Sequence, residues 1–481
     1  MKQRLVTEEN KKWWTLGAVS VGLFVIMLDN TVVNVALPSM RRSLGMSLSE
    51  LEWVVAGYAL TFAAFMLTGG KLADYLGRRL VFMLGLAVFT GSSLACGLAP
   101  NGGFLIGARV VQGLGGALMN PATLSIITAT FPPRERGKAI GIWAGVSAMA
   151  LAIGPLVGGL LTEHVNWNWI FFINVPIGAL GLLAIPVFVE ESRDTSHEQR
   201  LDLPGLVASA VGLFSLTYAF IEANSYGWTS ARILTAFVVA AIALVAFVLL
   251  ERHQRIPMLD LSLFRNRTFG GANGAMLFVG LAMFGTFFYV SLYMQNVLGF
   301  SPVQAGASFL PLTFLVIVLA PRTGALADRF GSRWLVGGGM TLLAVMLFYY
   351  TFLGAHESFW TLLPALLIGG TGMACTMTPT TAAAMSAVAV DKAGVGSAVL
   401  NSARQVGGSL GIAVMGAIVA SASSAALRHG DPREIAYLHG FHDALRVGSL
   451  LCLAGAVVAV LAIRKIEHRH APQPAPAAEA A

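Results

Sequence analysis

The chain has 481 residues, of which 56% are hydrophobic and only 11% are charged, and its formal net charge is +7. A soluble domain carries about 25% charged residues, so this chain cannot cover a water-facing surface and is expected to lie in lipid. The positive charge does not indicate nucleic acid, because the basic residues are scattered through short turns and form no basic face. The three cysteines lie in apolar runs, which predicts packing and neither disulfides nor a metal site.

Fourteen apolar runs are long enough to cross a membrane, which takes roughly 20 apolar residues. The first run follows a charged N-terminus and is too long for the core of a signal peptide, so we expect it to be retained. The predicted fold class is therefore all-α integral membrane. The spans are predicted at residues 13–36, 51–70, 80–99, 103–125, 137–160, 168–189, 204–222, 232–250, 268–295, 303–321, 334–354, 360–384, 403–423 and 445–463.

The basic residues also predict the orientation. An even number of spans places both termini on one side, and turns on that side carry 24 of the 31 Lys and Arg residues, against five in the opposite turns. The positive-inside rule then places both termini in the cytoplasm. We expect a multi-pass protein of the inner (plasma) membrane, with an Ala/Pro-rich tail at 465–481 that is disordered.

A short polar segment occurs twice. Gly70-Lys-Leu-Ala-Asp74-Tyr-Leu-Gly77-Arg78-Arg79 returns in altered form as Gly324-Ala-Leu-Ala-Asp328-Arg-Phe-Gly331-Ser-Arg333, at a constant offset of 254 residues. Parallel repeats of this kind are typical of secondary transporters, with a substrate site between the halves. Eight predicted helices separate the copies where two six-helix halves would give six. The sequence thus predicts six-helix bundles at 1–190 and 268–464, with two additional helices inserted within 191–267.

Four motifs stand out in the first predicted bundle. They are the turn Gly70-x-x-x-Asp74-x-x-Gly77-Arg78-Arg79, the helix-1 stretch Leu28-Asp29-Asn30-Thr31-Val32-Val33-Asn34-Val35-Ala36-Leu37-Pro38, the helix-4 stretch Leu105-x-x-x-Arg109-x-x-Gln112-Gly113-x-Gly115-Gly116-Ala117, and the helix-5 stretch Gly145-x8-Gly154-Pro155-x-x-Gly158-Gly159. With these motifs the chain resembles the major facilitator superfamily, and within it the fourteen-helix drug:proton antiporters of the EmrB/QacA type, over all but its tail. The helix-5 stretch resembles the antiporter motif of that superfamily, and the turn departs from the usual pattern at Tyr75, where a basic residue is usual.

Two groups of motif residues are candidates for conformational roles. The repeated turns are assigned to gating, although a charged turn is more often only a solvated surface. The glycines and the proline of helix 5 predict a hinge and a seal against leak, with simple close packing as the alternative. The gating residues are Gly70, Asp74, Gly77, Arg78, Arg79, Asp328, Arg329 and Arg333, and the antiporter-motif residues are Gly145, Gly154, Pro155, Gly158 and Gly159.

Asp29 and Arg109 are the leading candidates for proton coupling. An ionisable group inside a span is costly and by default functional, facing a cavity. Counting along oppositely directed helices at 1.5 Å per residue puts both roughly 10 Å below the outer surface, so we expect them to interact directly or through water. The resemblance also implies proton coupling for Arg109. The alternatives are a structural hydrogen-bonded carboxylate and an arginine bound to backbone carbonyls. Glu222 is either a second acid or an interfacial glutamate.

Substrate contacts are expected from three of the predicted helices. Aromatic and methionine side chains on the ninth, 268–295, suit large apolar ligands, although such residues more often face lipid. His439 and His442 lie in the predicted external loop 424–444, and we predict no metal there. The predicted substrate-binding residues are Asn30, Asn34, Gln112, Phe284, Phe288 and Tyr289.

The sequence contains no phosphate-binding loop of ATP-driven pumps and no hydrolase motif. We therefore predict no enzyme and no cofactor, with the proton gradient as the energy source. The predicted function is proton-coupled export of amphipathic, preferentially cationic, drugs. The alternatives are a dedicated exporter of one metabolite, antibiotic or lipid, and a non-transporting sensor or scaffold. The expected partners are a small-molecule substrate, protons and lipid, with an adaptor protein if a second membrane exists; a monomer suffices.

Overall fold

The computed structural model of this protein describes residues 8–193, 201–254, 257–388 and 393–464. The expectations for the extreme N-terminus and for the tail at 465–481 concern residues outside these ranges. Within them the chain forms sixteen α-helices and a short 3-10 helix, Leu261–Arg265. The helices are α1 Glu8–Leu44, α2 Leu48–Leu76, α3 Arg78–Gly97, α4 Gly102–Thr130, α5 Pro133–His164, α6 Trp169–Phe172, α7 Asn174–Phe188, α8 Leu203–Tyr226, α9 Ala231–His253, α10 Arg267–Asn296, α11 Pro302–Ser308, α12 Leu310–Phe330, α13 Ser332–Tyr350, α14 Phe359–Ser386, α15 Ala393–Arg428 and α16 Arg433–Ala462.

These helices provide fourteen candidate membrane spans in the described part of the chain, which confirms the predicted fold class. Helices are expected because backbone groups in hydrocarbon must be hydrogen-bonded within the chain. Two spans are each made of two consecutive helices, α6 with α7 and α11 with α12, where the sequence predicts one continuous helix. Pro176 and Pro311 follow the breaks; proline lacks a backbone N–H and favours the first turn of a helix.

The helices pack as two bundles, and the chain forms a further pair of helices, α8 and α9, between the first bundle and the second. In the first bundle, α1–α7, the main packing partners are α2 with α4, α3 with α4 and α1 with α5. In the second bundle, α10–α16, they are α10 with α15 and α13 with α14 and α16. The inserted helices α8 and α9 pack on each other, and α8 also packs on α2 and α15. The inserted pair therefore lies beside the contact between the bundles.

The repeated polar segment forms the same turn twice. Gly77 separates α2 from α3 with φ +125°, and Gly331 separates α12 from α13 with φ +88°. Residues other than glycine rarely adopt this backbone conformation. A methyl group on Gly77 would also come within 2.6 Å of the Glu191 carboxyl carbon. That carboxylate accepts the backbone N–H groups of Arg79 (3.0 Å) and Leu80 (3.1 Å) at the start of α3.

The predicted external loop 424–444 is wrong, because most of it is helical. The α15 helix continues to Arg428 and α16 begins at Arg433. His439 and His442 consequently lie in a helix, where a nitrogen of the His442 ring bonds the Leu353 carbonyl at 2.9 Å. Polar residues can continue a helix beyond the apolar core, so hydropathy marks the span and not the helix end.

We expect Gly77→Ala to lower the midpoint of thermal unfolding, because the positive φ alone costs roughly 1–2 kcal/mol and the methyl group meets Glu191. The control is Gly91→Ala in α3, where an added methyl group has no neighbour within 4 Å. This control should leave the midpoint unchanged or raise it, since helical alanine is favoured over glycine. Tryptophan fluorescence during heating in detergent measures both. Equal midpoints for the two variants would contradict the conclusion that the turn requires glycine at position 77.

Candidate functional site

A buried ion pair lies in the middle of the first bundle. Asp29 on α1 and Arg109 on α4 are 0% and 1% exposed, and Arg109 Nη1 lies 2.5 Å from Asp29 Oδ2. The structure thus places in direct contact the two side chains that the sequence predicts at one depth. A buried charge is tolerated in an apolar interior only when it is paired and hydrogen-bonded, so each of these groups holds the other in place.

Further polar groups complete this pair. Gln112 donates to Asp29 Oδ1 at 3.1 Å and accepts from Arg109 Nη1 at 2.7 Å. Asn174 on α7 donates to Asp29 Oδ1 at 3.5 Å. Gln112 is predicted to contact the substrate, but in this structure it belongs to the ion-pair network. Its amide oxygen bonds Arg109 and its amide nitrogen bonds Asp29.

Arg109 also reaches α2. Its Nε donates to the Val54 carbonyl at 3.1 Å, and its guanidinium lies 4.2 Å from the centre of the Tyr58 ring. The arginine therefore connects the Asp29 carboxylate on α1 to the backbone of α2. A change in the charge of Asp29 would alter the balance of these contacts, so the arrangement can relay protonation to a second helix.

A cavity lies between the two bundles. About 170 Å³ of it is accessible to a water-sized molecule, and its wall comes from α1, α5, α10, α12, α14 and α15. Of the predicted substrate contacts, Asn30, Asn34 and Phe284 line it, whereas Phe288 and Tyr289 are fully buried away from it; substrate binding by these residues stays a prediction. The hydropathy of α10 could not tell which of its aromatic residues face the cavity.

Asp29 does not line this cavity, contrary to the expectation that it faces one. Its neighbour Asn30 does, because consecutive residues of a helix point about 100° apart. The cavity and the buried ion pair therefore occupy two sides of the same turn of α1.

Arg404 is the one charged side chain in the cavity wall, within the described residues. The corresponding span is predicted to begin at residue 403, which puts Arg404 at the edge of the membrane. The structure differs, since α15 begins at Ala393 and carries Arg404 about three turns in. Polar residues and glycines before residue 403 continue the helix, so hydropathy does not mark its start.

The bundles touch at the end of the molecule opposite the face where α1 begins and α16 ends; we call this end the far face. Ser291 Oγ donates to the Asn34 carbonyl and Gln295 Nε2 to the Val35 carbonyl, both at 2.9 Å. The Val303 N–H donates to Glu163 at 2.9 Å. These bonds join α10 and α11 of the second bundle to α1 and α5 of the first. The cavity is therefore sealed toward the far face.

The antiporter motif supplies the backbone contact of this seal. A methyl group on Gly159 would lie 2.4 Å from the Pro302 oxygen, and one on Gly306 would lie 2.1 Å from the Pro155 oxygen. Gly154 and Gly158 face α1 with comparable closeness. Gly145 is exposed and has nothing within 4 Å. Close approach thus explains four members of the motif and not Gly145, which lies nearer the other end of α5.

A buried glutamate that the sequence analysis passed over lies in the same seal. Glu52 on α2 is 3% exposed and accepts the Tyr289 hydroxyl across the bundles at 2.7 Å. We call this contact the Glu52–Tyr289 latch. Glu222, half-buried at the end of α8, accepts Trp53 Nε1 at 3.3 Å beside it. The available signal for Glu52 was an acid at the second residue of the predicted span 51–70.

The predicted gating turns are at the other end, where α1 begins. Arg78 donates twice to Asp74 Oδ1, at 2.9 and 3.0 Å, while Arg79 bonds the Val189 carbonyl at 3.3 Å. In the second copy the Arg329 and Arg333 guanidinium groups lie over the rings of Phe330 and Trp334. Gly70 packs on Pro121, and the side chain of Asp328 lies outside the described part. The gating role stays a prediction.

Comparisons with known proteins agree with this architecture. The Major Facilitator Superfamily profile matches residues 19–412. The chain is 38% identical to the multidrug resistance protein Stp of Mycobacterium tuberculosis (strain CDC 1551 / Oshkosh) over 414 residues, 86% of this chain and 77% of Stp. It is 37% identical to the tetracenomycin C resistance and export protein of Streptomyces glaucescens over 449 residues, 92% and 83% of the two chains.

Among solved structures, a bacterial homologue of the human lysosomal transporter Spinster, in an inward-facing and unoccupied conformation, matches with a TM-score of 0.67. Its sequence identity is 18%, over 94% of this chain and 97% of that one. At this identity the match supports the fold alone.

We expect Asp29→Asn to lower thermal stability strongly, because Arg109 stays charged and loses its buried counterion. Breaking a buried pair costs about 3–5 kcal/mol. Adding Arg109→Gln should restore part of this loss, since the double variant buries no unpaired charge. Unfolding midpoints of the two single variants and the double variant form the cycle. Additive losses would show that the two side chains do not stabilise each other.

We expect Tyr289→Phe to loosen the far face, because it removes a buried hydrogen bond to Glu52 between the bundles that contributes about 1.4 kcal/mol. The population open at that face should rise about ten-fold. Spin labels on Cys replacing Arg42 and Arg428, with native cysteines replaced by Ser, report the distance between bundles.

The matched control is Tyr293→Phe, also on α10, whose hydroxyl bonds Gly354 within the second bundle at 2.6 Å. It removes one buried hydroxyl but no contact between bundles. A distance distribution that shifts equally in both tyrosine variants would refute the latch.

Proposed function

The chain belongs to the major facilitator superfamily and is a multi-pass drug-efflux transporter of that superfamily, and we propose that a proton gradient drives it as an antiporter. Relatives named for drug and antibiotic resistance support the export of drugs. The observation that carries the proton coupling is the fully buried Asp29–Arg109 pair. An ionisable pair inside a membrane domain is typical of proton relays.

The orientation belongs to the same proposal. The excess of basic residues in the turns on the side of the termini supports a cytoplasmic location for both termini, in a cell whose inner (plasma) membrane holds the protein. The far face is then external. Contacts between the bundles at that face support an inward-facing state for this structure, in which the cavity receives a drug from the cytoplasm or the inner leaflet.

The coupling between proton and drug runs through one turn of α1. Asp29 faces the ion pair and Asn30 faces the cavity. A rotation or shift of α1 that follows protonation therefore moves a wall of the drug site. Conversely, a drug seated against Asn30 and Asn34 restrains the helix that positions the carboxylate. The two ligands are linked through a shared helix, and this coupling is reciprocal.

The energy available suits this cycle. Each proton that crosses with the electrical gradient supplies about 2.3 kcal/mol per 100 mV, and each pH unit adds about 1.4 kcal/mol. The cycle requires no bound cofactor. Both bundles of one chain line the cavity, so a monomer suffices. An adaptor protein would extend the export path only where the cell has a second membrane.

We expect Asp29→Asn to abolish gradient-driven antiport, with at least a ten-fold lower rate, because the amide cannot exchange a proton. The measurement uses proteoliposomes with an imposed pH gradient and an entrapped pH-sensitive dye. Proton movement is followed on addition of tetracenomycin C or the neutral probe phenylnaphthylamine. The matched control is Asp443→Asn, which removes an exposed carboxylate paired with Arg446 at 2.7 Å.

Two other outcomes are informative. Drug-dependent proton movement that survives in Asp29→Asn would keep antiport but move the proton site, with Glu52 and Glu222 as the acids to test next. No drug-dependent proton movement in the wild type, for either compound, would contradict proton antiport.

A further inference from the structure

The charge of the cavity wall has a consequence for substrate selection. We propose that Arg404 anchors the acidic end of the substrate, so that the cavity selects amphipathic organic anions over cations. This inference rests on the proposed function and deepens it, and it departs from the cationic preference predicted from the sequence. It is carried by the position of one arginine and by the composition of the wall around it.

Arg404 has no counterion in the described part of the chain. Its side chain donates from Nη2 to Asn401 Oδ1 at 3.3 Å, and its Nε–H is buried without an acceptor among the described residues. No ion pair joins it to a described acid. A guanidinium carries five donors in a planar fork and keeps its charge in proteins. Most of this donor capacity is therefore free for an incoming ligand.

The wall around Arg404 offers no competing negative charge. The residues of the wall include no Asp or Glu within the described ranges, and the polar ones other than Arg404 are neutral amides and hydroxyls. Asp29, the acid next to the wall residue Asn30 in the sequence, is fully buried and already paired with Arg109. A cationic drug would find here a like charge and no acid. An anion would find a donor that matches a carboxylate or sulfonate with two parallel hydrogen bonds.

The remainder of the wall suits the apolar part of such a molecule. Phe284, Phe287 and Phe309 lie with Met283, Met373 and Met377 around the same space. Phe287 and Phe309 meet edge to face at 5.4 Å, and they come from α10 and from the junction between α11 and α12. Aromatic and methionine side chains accept rings of varied shape. The cavity therefore combines a fixed charged anchor with an adaptable apolar surface.

The position of Arg404 also links ligand binding to the contact between the bundles. It lies on α15, the second-bundle helix that packs most closely on α2, and Ser402 Oγ bonds the Ala63 carbonyl of α2 at 3.3 Å. The backbone of Arg404 itself is in close contact with Gly280 on α10, where an added methyl group would lie 2.2 Å from its oxygen. The anchor is thus held by rigid helices on both sides. Binding at this point would act on the contact between bundles.

The test compares two probes that share their rings and differ in one charge. Anilinonaphthalene sulfonate is anionic and phenylnaphthylamine is its neutral counterpart. Equilibrium binding to the full chain in lipid nanodiscs is measured by fluorescence, with empty nanodiscs subtracted. We expect the wild type to bind the sulfonate about ten-fold more tightly, which corresponds to about 1.4 kcal/mol. Arg404→Gln should remove this preference and leave neutral-probe binding unchanged, whereas Arg404→Lys should retain part of it.

The matched control is Arg322→Gln, which removes an exposed arginine on α12 that is not part of the cavity wall. It should keep the wild-type ratio of affinities. The inference is overturned if wild-type protein binds both probes equally, if it prefers a cationic styrylpyridinium dye, or if Arg404→Gln leaves the ratio unchanged. The first two outcomes need no variant, so they decide the matter even if Arg404→Gln does not fold.

Failure of the proposed function has a separate signature. Gradient-driven proton movement is measured with the neutral probe, which does not depend on Arg404. A wild-type protein that binds the two probes equally but still moves protons with the neutral probe would refute the anion anchor alone. Absence of proton movement with the affinity ratio intact would refute proton antiport and keep the anchor.

Discussion

Hydrocarbon does not solvate charge, and this constraint organises the membrane interior of the protein. A buried charge must be paired, hydrogen-bonded or reserved for a ligand. Asp29 and Arg109 neutralise each other, and Glu52 is held by a tyrosine hydroxyl from the other bundle. Arg404 makes one hydrogen bond to Asn401, has no acidic partner among the described residues, and lines the cavity. The same physical rule therefore gives three different functional assignments, according to what each side chain contacts.

Much of the fold follows from patterns that depend on the backbone and on lipid. Span length, the repeated turn and the helix-4 and helix-5 motifs are sufficient to predict fourteen spans and the family, and both are confirmed. Gly77 and Gly331 explain why the repeat could be recognised in the sequence. Both turns require a positive φ, which glycine adopts readily. Helix ends were less predictable. His439 was placed in a loop and Arg404 at the edge of a span, because polar residues extend α15 and α16 past the apolar runs.

The sequence predicts how deep the site residues lie in the membrane, but not the direction in which each side chain points from its helix. Rise per residue put Asp29 and Arg109 at one level, and the structure brings them into contact. Rotation about a helix axis needs the packing partners, which a single sequence does not contain. Phe284 and Tyr289 lie on the same helix, yet one faces the cavity and the other reaches across to Glu52. Gln112 likewise turned toward the ion pair, because its amide could satisfy both charges.

The proton site and the seal are joined most directly through α2. Arg109 holds the Val54 carbonyl and lies over Tyr58, and Glu52 precedes Val54 by only two residues. A neutral Asp29 would leave the guanidinium without its counterion in a medium of low polarity, so Arg109 would depend more on its α2 contacts. The α2 residue whose carbonyl Arg109 bonds, Val54, lies within one helical turn of Glu52. Protonation on one side of α2 is thereby positioned to bias the contact between bundles on the other, without a longer chain of intermediates.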